Sequence, residues 1–306
     1  MAHAQSYVRE SGVDWDKLRI FHAVAEAGSF THAGDVLNLS QSAVSRQISA
    51  LEDVLQVPLF HRHARGLILT EQGETLNQTV REVFSKLEMT QTLLTESKEK
   101  AAGRLRVTTT TGFGSCWLMP RLHKFMEQNP DISISLILED NDLDLGMREA
   151  DVAVRMHAPR QPDLIQRHLA DFPLHVYASP RYLEQFGQPA SLDDLATHQL
   201  VAFGGYHPPV PHVNWLLEAG MPEGQRRPAR LEVNSMVAMA DAISSGLGIG
   251  SVPGYAVTEY PTLVRVLADV PAPQVEAFFV YPEELRSSKR VAVFRDFLTS
   301  ELGLRG

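Results

Sequence analysis

The residues best suited to specific chemistry form a short run near the N-terminus: Gln41, Ser42, Ser45 and Arg46, within Ser40-Gln-Ser-Ala-Val-Ser-Arg-Gln-Ile48. Arginine can donate two hydrogen bonds to guanine O6 and N7, and glutamine can pair in the same two-pronged way with adenine. Serine hydroxyls reach either a base edge or a phosphate. On one helix these groups would make a reading surface for double-stranded DNA, and the spacing puts them there. Val44, Ile48, Leu51 and Leu55 recur every three or four residues as an apolar stripe, leaving Ser42, Ser45, Arg46 and Ser49 on the opposite side, with Gln41 at its N-terminal edge.

The elements that would position this face lie on either side of it. Ser40 can cap the helix, and Phe30, Ala33, Val36 and Leu37 repeat at helical spacing just before it. Leu18, Phe21, Val24 and Ala25, in Trp15 to Ala27, predict a supporting helix packed behind the other two. Beyond it, Leu59-Phe60 and Leu67-Ile68-Leu69 read as two short strands with Arg62, Arg65 and Gly66 at the tip between them. Helix, turn, helix and β wing is one way to set a helix N-terminus into a major groove. An ordinary helical hairpin in a core is the plain alternative.

From Thr70-Glu71-Gln72-Gly73-Glu74 a long helix is predicted to about Lys100, with Leu76, Val80, Val83, Leu87 and Leu94 along one side. A single apolar seam of that length needs a partner, and a second copy of the chain is the simplest one, packing on the C-terminal region of its own chain being the alternative. After Gly103 the pattern changes. Strands are predicted around Leu105 to Val107, Ile132 to Leu136, Asp151 to Arg155, Leu174 to Tyr177, Leu200 to Phe203, Leu231 to Val233, Ile249 to Val252 and Val275 to Tyr281. Helices are predicted at Trp117 to Gln128, Asn141 to Glu149, Pro180 to Phe186, Ser235 to Ser244 and Lys289 to Leu298. Such alternation implies two α/β units with parallel sheets covered by helices.

Several of these runs carry a specific resemblance: Leu18-Arg-Ile-Phe21 through Ala27-Gly-Ser-Phe30, Ser40 to Ile48, Pro58-Leu-Phe60 with Arg62, and Leu69-Thr-Glu-Gln-Gly73. Over about the first hundred residues the chain resembles the DNA-binding domain of the LysR-type transcriptional regulators, a bacterial family, and the remainder resembles that family more loosely. The resemblance implies a fold that is α/β overall. A winged helix-turn-helix would occupy 1–70, a linker and dimerisation helix 71–102, and a two-lobed effector domain 103–306, similar to periplasmic solute-binding proteins. Lobe I would comprise 103–171 and 275–306 and lobe II 172–274, with the two chain crossings acting as hinges. It also implies homodimers that assemble into a homotetramer, paired half-sites on DNA, a small-molecule effector and RNA polymerase as a further candidate partner.

In open α/β sheets ligands bind beyond the carboxyl ends of strands. Thr108 to Ser115 follows the first strand of the second region and leads into a helix, so its hydroxyls and free N–H groups favour an anion and a carboxylate effector is the natural expectation, with a neutral or amphipathic ligand left open because no arginine is placed in the cleft. Thr108 and Thr109 read as strand residues, leaving Thr110, Thr111 and Ser115 for the effector. Phe203, Gly204, Asn234 and Ser235 are expected to face them from lobe II, a helix cap or turn being the plain alternative for each.

Composition bounds the alternatives. The net charge of −9, with six Lys and Arg against seven Asp and Glu in residues 1–70, means that DNA binding must rest on a few placed contacts and on a second copy. The first twelve residues lack the apolar core of a signal peptide, and no run approaches a membrane span, so a cytoplasmic protein with no membrane partner is expected. One cysteine, Cys116, excludes an intrachain disulfide; near a helix start a thiolate would be stabilised, but a small buried residue is the expected reading. His61-x-His63 and His207 with His212 lack supporting ligands, so no metal or other cofactor is expected. Gly246-Leu-Gly-Ile-Gly250 lies between a helix and a strand, the reverse of the order a dinucleotide site needs. With no nucleophile elbow, P-loop or metal motif, the competing reading is a cytoplasmic solute-binding protein or an enzyme carrying a helical dimerisation domain, and catalysis is not expected.

Overall fold

Asp14 caps helix α1 (Trp15–Ala27): its carboxylate accepts the Lys17 N–H at 2.9 Å, and Gly28 ends the helix in the left-handed conformation. Helix α2 (Phe30–Leu37) follows, then a turn in which Asn38 has φ 55°, then α3 (Gln41–Leu55), capped by the Ser40 hydroxyl on Ala43 N–H at 3.2 Å. The turn is tight, since a Cβ at Gly34 would stand 2.6 Å from the Leu39 carbonyl oxygen. The wing is a hairpin of β1 (Phe60–His63) and β2 (Gly66–Leu69), with Phe60 opposite Leu69. Glu52 on α3 fastens its start, accepting the Leu59 and Phe60 N–H groups at 2.7 and 3.3 Å. Gly66, expected at the tip, is thus the first residue of β2, and Arg62 belongs to β1.

The computed structural model describes residues 14–63, 66–95, 101–159, 161, 163–205 and 208–303, with side chains left out at 62, 63, 66, 85, 88, 89 and 91–95. The side chains of Arg62, His63 and Leu94, all of Arg65 and His207, the leader before Asp14 and the helix end from 96 to 100 therefore lie outside the described residues. The chain forms two compact units, 1–94 and 95–306.

The long helix α4 (Glu71–Thr95) belongs with the first unit rather than standing apart from it. Thr70 starts it: its hydroxyl donates to the Pro58 carbonyl at 2.7 Å and accepts the Gly73 N–H at 3.0 Å. Its apolar positions divide. Leu76, Val80 and Phe84 pack into the core of α1, α3 and the wing, with Phe84 4.7 Å from the Trp15 ring. Val83 and Leu87, 39% and 50% exposed, keep the outward face. The expected single seam is therefore two stripes, because a helix that closes a small core spends one face on it. Val36 is a second departure. Expected among the apolar contacts of α2, it is 73% exposed, and Ala33 fills the core instead.

The second unit is built on a nine-stranded mixed sheet. Strand β3 (Gly103–Thr109) pairs in parallel with β4 (Ile132–Leu138) and β5 (Val152–Arg155). In the other half β7 (Leu200–Phe203) pairs in parallel with β8 (Leu231–Val233) and β9 (Ile249–Pro253). Joining them is β6 (Leu164–Ala178), fifteen residues long, antiparallel to β11 (Gln274–Pro282) over its first part and to β9 and β10 (Val264–Val266) over its last. The sheets are thus mixed rather than parallel as expected, since β6 and β11 run against the strands they join. The chain passes between lobes near Pro173 and Gln274, where Leu174 N–H meets the Pro273 carbonyl at 2.9 Å.

Helices α6 (Met119–Gln128) and α10 (Lys289–Glu301) cover lobe I through Phe125, Phe294 and Phe297, with the first two rings edge-on at 5.2 Å. In lobe II α7 (Pro180–Phe186) sets Tyr182 in a separate core with Leu195 and with Leu216 of α8 (Trp215–Glu218), and α9 (Met236–Ser244) buries Met236, Met239 and Ile243. The main core spans both lobes, from Leu105 and Phe294 to Phe203 and Met239. The predicted helix at 141–149 is a series of turns instead. Asp144 accepts the Gly146 and Met147 N–H groups, and Glu149 accepts that of Asp144, so acidic side chains take the donors a helix ladder would need.

Candidate functional site

Two sites emerge, one in each unit. On α3 the buried residues are Val44, Ile48 and Leu51, which fixes the rotation of the helix. Gln41, Ser42 and Arg46 stand exposed on the outer side, with Ser45 and Ser49 half-buried. Arg46 Nε donates to the Ser42 carbonyl at 3.3 Å, lying back along the helix toward its N-terminus. The Ser40 and Ser42 hydroxyls are 3.1 Å apart. The first two turns therefore offer a guanidinium, an amide and hydroxyls to solvent, with no acidic residue in the first turn to repel a phosphate.

In the second unit the sequence-predicted ligand residues are only partly brought together. Thr108 and Thr109 are buried strand residues as expected, Thr109 Oγ1 donating to Val154 O at 2.9 Å. Thr110 is consumed as a cap: its hydroxyl accepts the Phe113 N–H at 3.4 Å at the start of α5 (Thr111–Phe113). The chain winds on through a π-helical turn, Gly114–Leu118, into α6. Ser235 caps α9 in the same way, on Ala238 N–H at 3.3 Å. Phe203 turns its ring into the core, while its backbone N–H and carbonyl are clamped by the Asn214 side chain, both at 2.8 Å.

The two helix starts expected to face each other across open space meet directly. A Cβ on Gly112 would stand 2.8 Å from Met236 Cβ. Behind that contact Phe113, Trp117, Phe172 and Tyr255 form an aromatic seam between the lobes. The open part of the cleft lies to one side, a cavity of about 520 Å³ lined by Thr111, Glu139, Asp140, Asn141, Gly204 and Asn234 among others. It holds Thr111, Phe203, Gly204 and Asn234 of the expected set and leaves out Thr110, Ser115 and Ser235.

The residues that sequence reasoning missed are acidic. Asp140 Oδ1 accepts the Thr111 N–H at 2.8 Å, so the donor expected to meet an effector anion already has one. Beyond it, Asp142 is held by Arg155 Nε at 3.3 Å and His157 Nε2 at 3.2 Å, on the wall of an adjoining cavity of about 660 Å³. Burial pushes the Asp142 carboxyl up, but the His157 hydrogen bond and the Arg155 charge outweigh it and leave it below the ordinary range. His157 is raised, chiefly by its hydrogen bond to Asp142. These residues follow the carboxyl ends of β4 and β5, where the strand-end rule places ligands, so that rule alone could have found them.

Cys116 sits half-buried in the π-helical turn, and burial, then Glu259 and Asp241, raise its pKa. That setting suits the plain, partly buried residue expected and opposes the alternative of a stabilised thiolate. No described helix is long and apolar enough to cross a membrane.

Comparisons with known proteins bear on both units. Residues 15–74 match the bacterial regulatory helix-turn-helix protein, lysR family, and residues 98–303 match the LysR substrate binding domain. The HTH-type transcriptional regulator YhjC of Escherichia coli K12 is 33% identical over 92% of this chain and 95% of its own. The transcriptional regulator CrgA of Neisseria meningitidis serogroup C is 30% identical over 94% and 97%. The solved CrgA structure from Neisseria meningitidis has a TM-score of 0.61 at 29% identity, covering 95% of this chain and 99% of its own. Full-length CbnR in complex with its target DNA has a TM-score of 0.68 at 21% identity, covering 94% and 100%, a likeness of fold.

Proposed function

The chain belongs to the LysR family of transcriptional regulators, with a DNA-binding helix-turn-helix and an effector-binding domain, and on that premise we propose how each part acts. Gln41, Ser42, Ser45 and Arg46 read base edges in the major groove, and Arg62 and Arg65 of the wing contact the flanking phosphates. The observation that carries this reading is the division of α3 into a buried apolar stripe and an exposed face bearing Gln41, Ser42 and Arg46. Val83 and Leu87 supply the dimer contact, dimers pair into a homotetramer, and RNA polymerase is the partner that a bound tetramer would influence.

A small-molecule effector enters the cleft between lobes I and II and shifts their relative position, altering how paired reading helices stand on DNA. Thr111, Gly204 and Asn234 are its predicted contacts, while Phe203, Thr110, Ser115 and Ser235 act by shaping the walls and loops around it. The carboxylate expected from the loop sequence would have to displace Asp140 from the Thr111 N–H. An effector that donates hydrogen bonds or offers positive charge to Glu139 and Asp140 is the better-supported class.

The direct test is a gel shift with the full chain and the DNA upstream of its own gene, at increasing salt. A specific complex that weakens steeply with salt is expected. Failure to bind that DNA, or any duplex selected from a random pool, would overturn the reading.

A further inference from the structure

We propose that His168, Asp171 and Glu276 form a binding site for a divalent first-row transition metal, built across the two strands that connect the lobes. One ligand atom from each of the three lies within 4.8 Å of the others, and His168 Nε2 is 2.5 Å from Asp171 Oδ1. In an occupied site with metal bonds near 2.0–2.1 Å the ligand atoms stand about 3.3 Å apart. All three side chains are exposed, so a small change of rotamer closes that difference.

The register of β6 and β11 explains how the cluster arises. Asp171 pairs directly with Glu276, which sets two carboxylates side by side on one face of an antiparallel ladder, an arrangement that costs stability through like-charge repulsion. Among the described residues His168 is the group of opposite potential charge in contact with Asp171, and Glu276 has no ion-pair partner. In a regular strand His168 and Asp171, three residues apart, would point to opposite faces. The ladder instead shifts between Ala277 and Phe278: Ala277 pairs with Ala170 and Phe278 with His168, so Leu169 is the extra residue. That bulge turns the imidazole onto the carboxylate face, and re-aiming one side chain is what bulges do at functional positions. The Phe278 ring meets the imidazole edge-on at 5.5 Å and 79°, limiting its rotation.

One imidazole nitrogen with two carboxylate oxygens suits zinc, cobalt, nickel or manganese and leaves positions open for water. The metal would neutralise the cross-strand pair and tie β6 to β11 beside the passage between lobes at Pro173 and Gln274. It would then be an input to lobe geometry separate from the cleft.

The test uses the full chain stripped with a chelator, then supplied with zinc or cobalt. At pH 8 and metal ten-fold above its Kd, the melting temperature should rise by roughly 3–6 °C. Cobalt should give visible absorption bands. His168→Ala should abolish both while melting near the wild type without metal, and Glu276→Gln should weaken both if the alanine variant does not fold. No response in the wild type, or an undiminished one in both variants, which would put the metal on other histidines such as His61 or His212, would overturn the proposal.

Discussion

The two units treat their polar residues in opposite ways. On α3 the groups chosen from the sequence for DNA contact, Gln41, Ser42 and Arg46, stand in solvent with their hydrogen-bonding capacity largely unspent. In the lobed unit the equivalent choices are mostly spent at home: Thr110 and Ser235 cap helices, Phe203 is core, and the Thr111 N–H is held by Asp140. A partner as strongly charged as DNA can be met by a ready surface. A small ligand must be met by a cavity whose walls first have to hold themselves together, and what it touches is what remains.

The contrast can be broken most severely from the first unit. A Cβ at Gly73 would stand 2.1 Å from the Leu59 carbonyl oxygen, a backbone atom that cannot swing aside. Gly73→Ala should therefore destabilise the winged unit by about 3 kcal/mol or more. Thermal melting of the full chain should show an early transition that leaves the lobed unit folded.

Next in size is the outward stripe of α4. Leu87→Asp should leave the fold intact, since Leu87 is half exposed, yet dissociate the dimer and weaken operator binding by at least about 100-fold through loss of the second half-site. Sedimentation with gel shift measures both, and a surviving dimer would mean that the seam lies elsewhere.

In the lobed unit Gly112→Ala pushes on Met236 Cβ from 2.8 Å, an atom that moves only with its own backbone, so the starts of α5 and α9 must part slightly at a cost of about 1–3 kcal/mol. Its mark would be an altered effector response at unchanged DNA affinity, read by titrating binding with and without effector.

The smallest effect is the pH response of the Asp142–His157 pair. His157 is raised above its ordinary 6.5, so its stabilising contribution is present below that value and fades as pH rises through the raised one. Asp142 is lowered from 3.8, so its contribution is present above that value and is lost as pH falls through the lowered one. With the side chains 43% and 37% exposed, solvent screening holds the effect below about 1 kcal/mol. Hydrogen-exchange protection in 139–144, taken relative to the base-catalysed intrinsic rate, should fall between pH 6 and 8 in the wild type and stay flat in His157→Gln.

What could be read in advance follows the same division. The α3 stripe, the Ser40 cap and the wing are local signals, encoded within a dozen residues, and the fold of the first unit was legible from them. Val36 and the split of the α4 seam were not, because which face a helix buries depends on neighbours distant in sequence. In the lobed unit most strands and helices were legible from periodicity, but the antiparallel joins depend on β6 running through both lobes. The acidic cleft wall was hidden because Asn141 to Glu149 has helical spacing, while its carboxylates take the backbone donors themselves. The Gly112 contact with Met236, which closes one side of the cleft, is a tertiary approach that carries no sequence period at all.

The central claim is that the exposed face of α3 supplies sequence discrimination. It is tested most directly by the ratio of affinities for a selected operator and a scrambled duplex, measured by fluorescence anisotropy at fixed salt for the wild type and Arg46→Ala. Each lost two-pronged contact is worth about 1–3 kcal/mol, and a dimer loses two, so the ratio should fall by at least about 30-fold while scrambled-duplex affinity changes little. An unchanged ratio in a folded, dimeric Arg46→Ala protein would contradict the account.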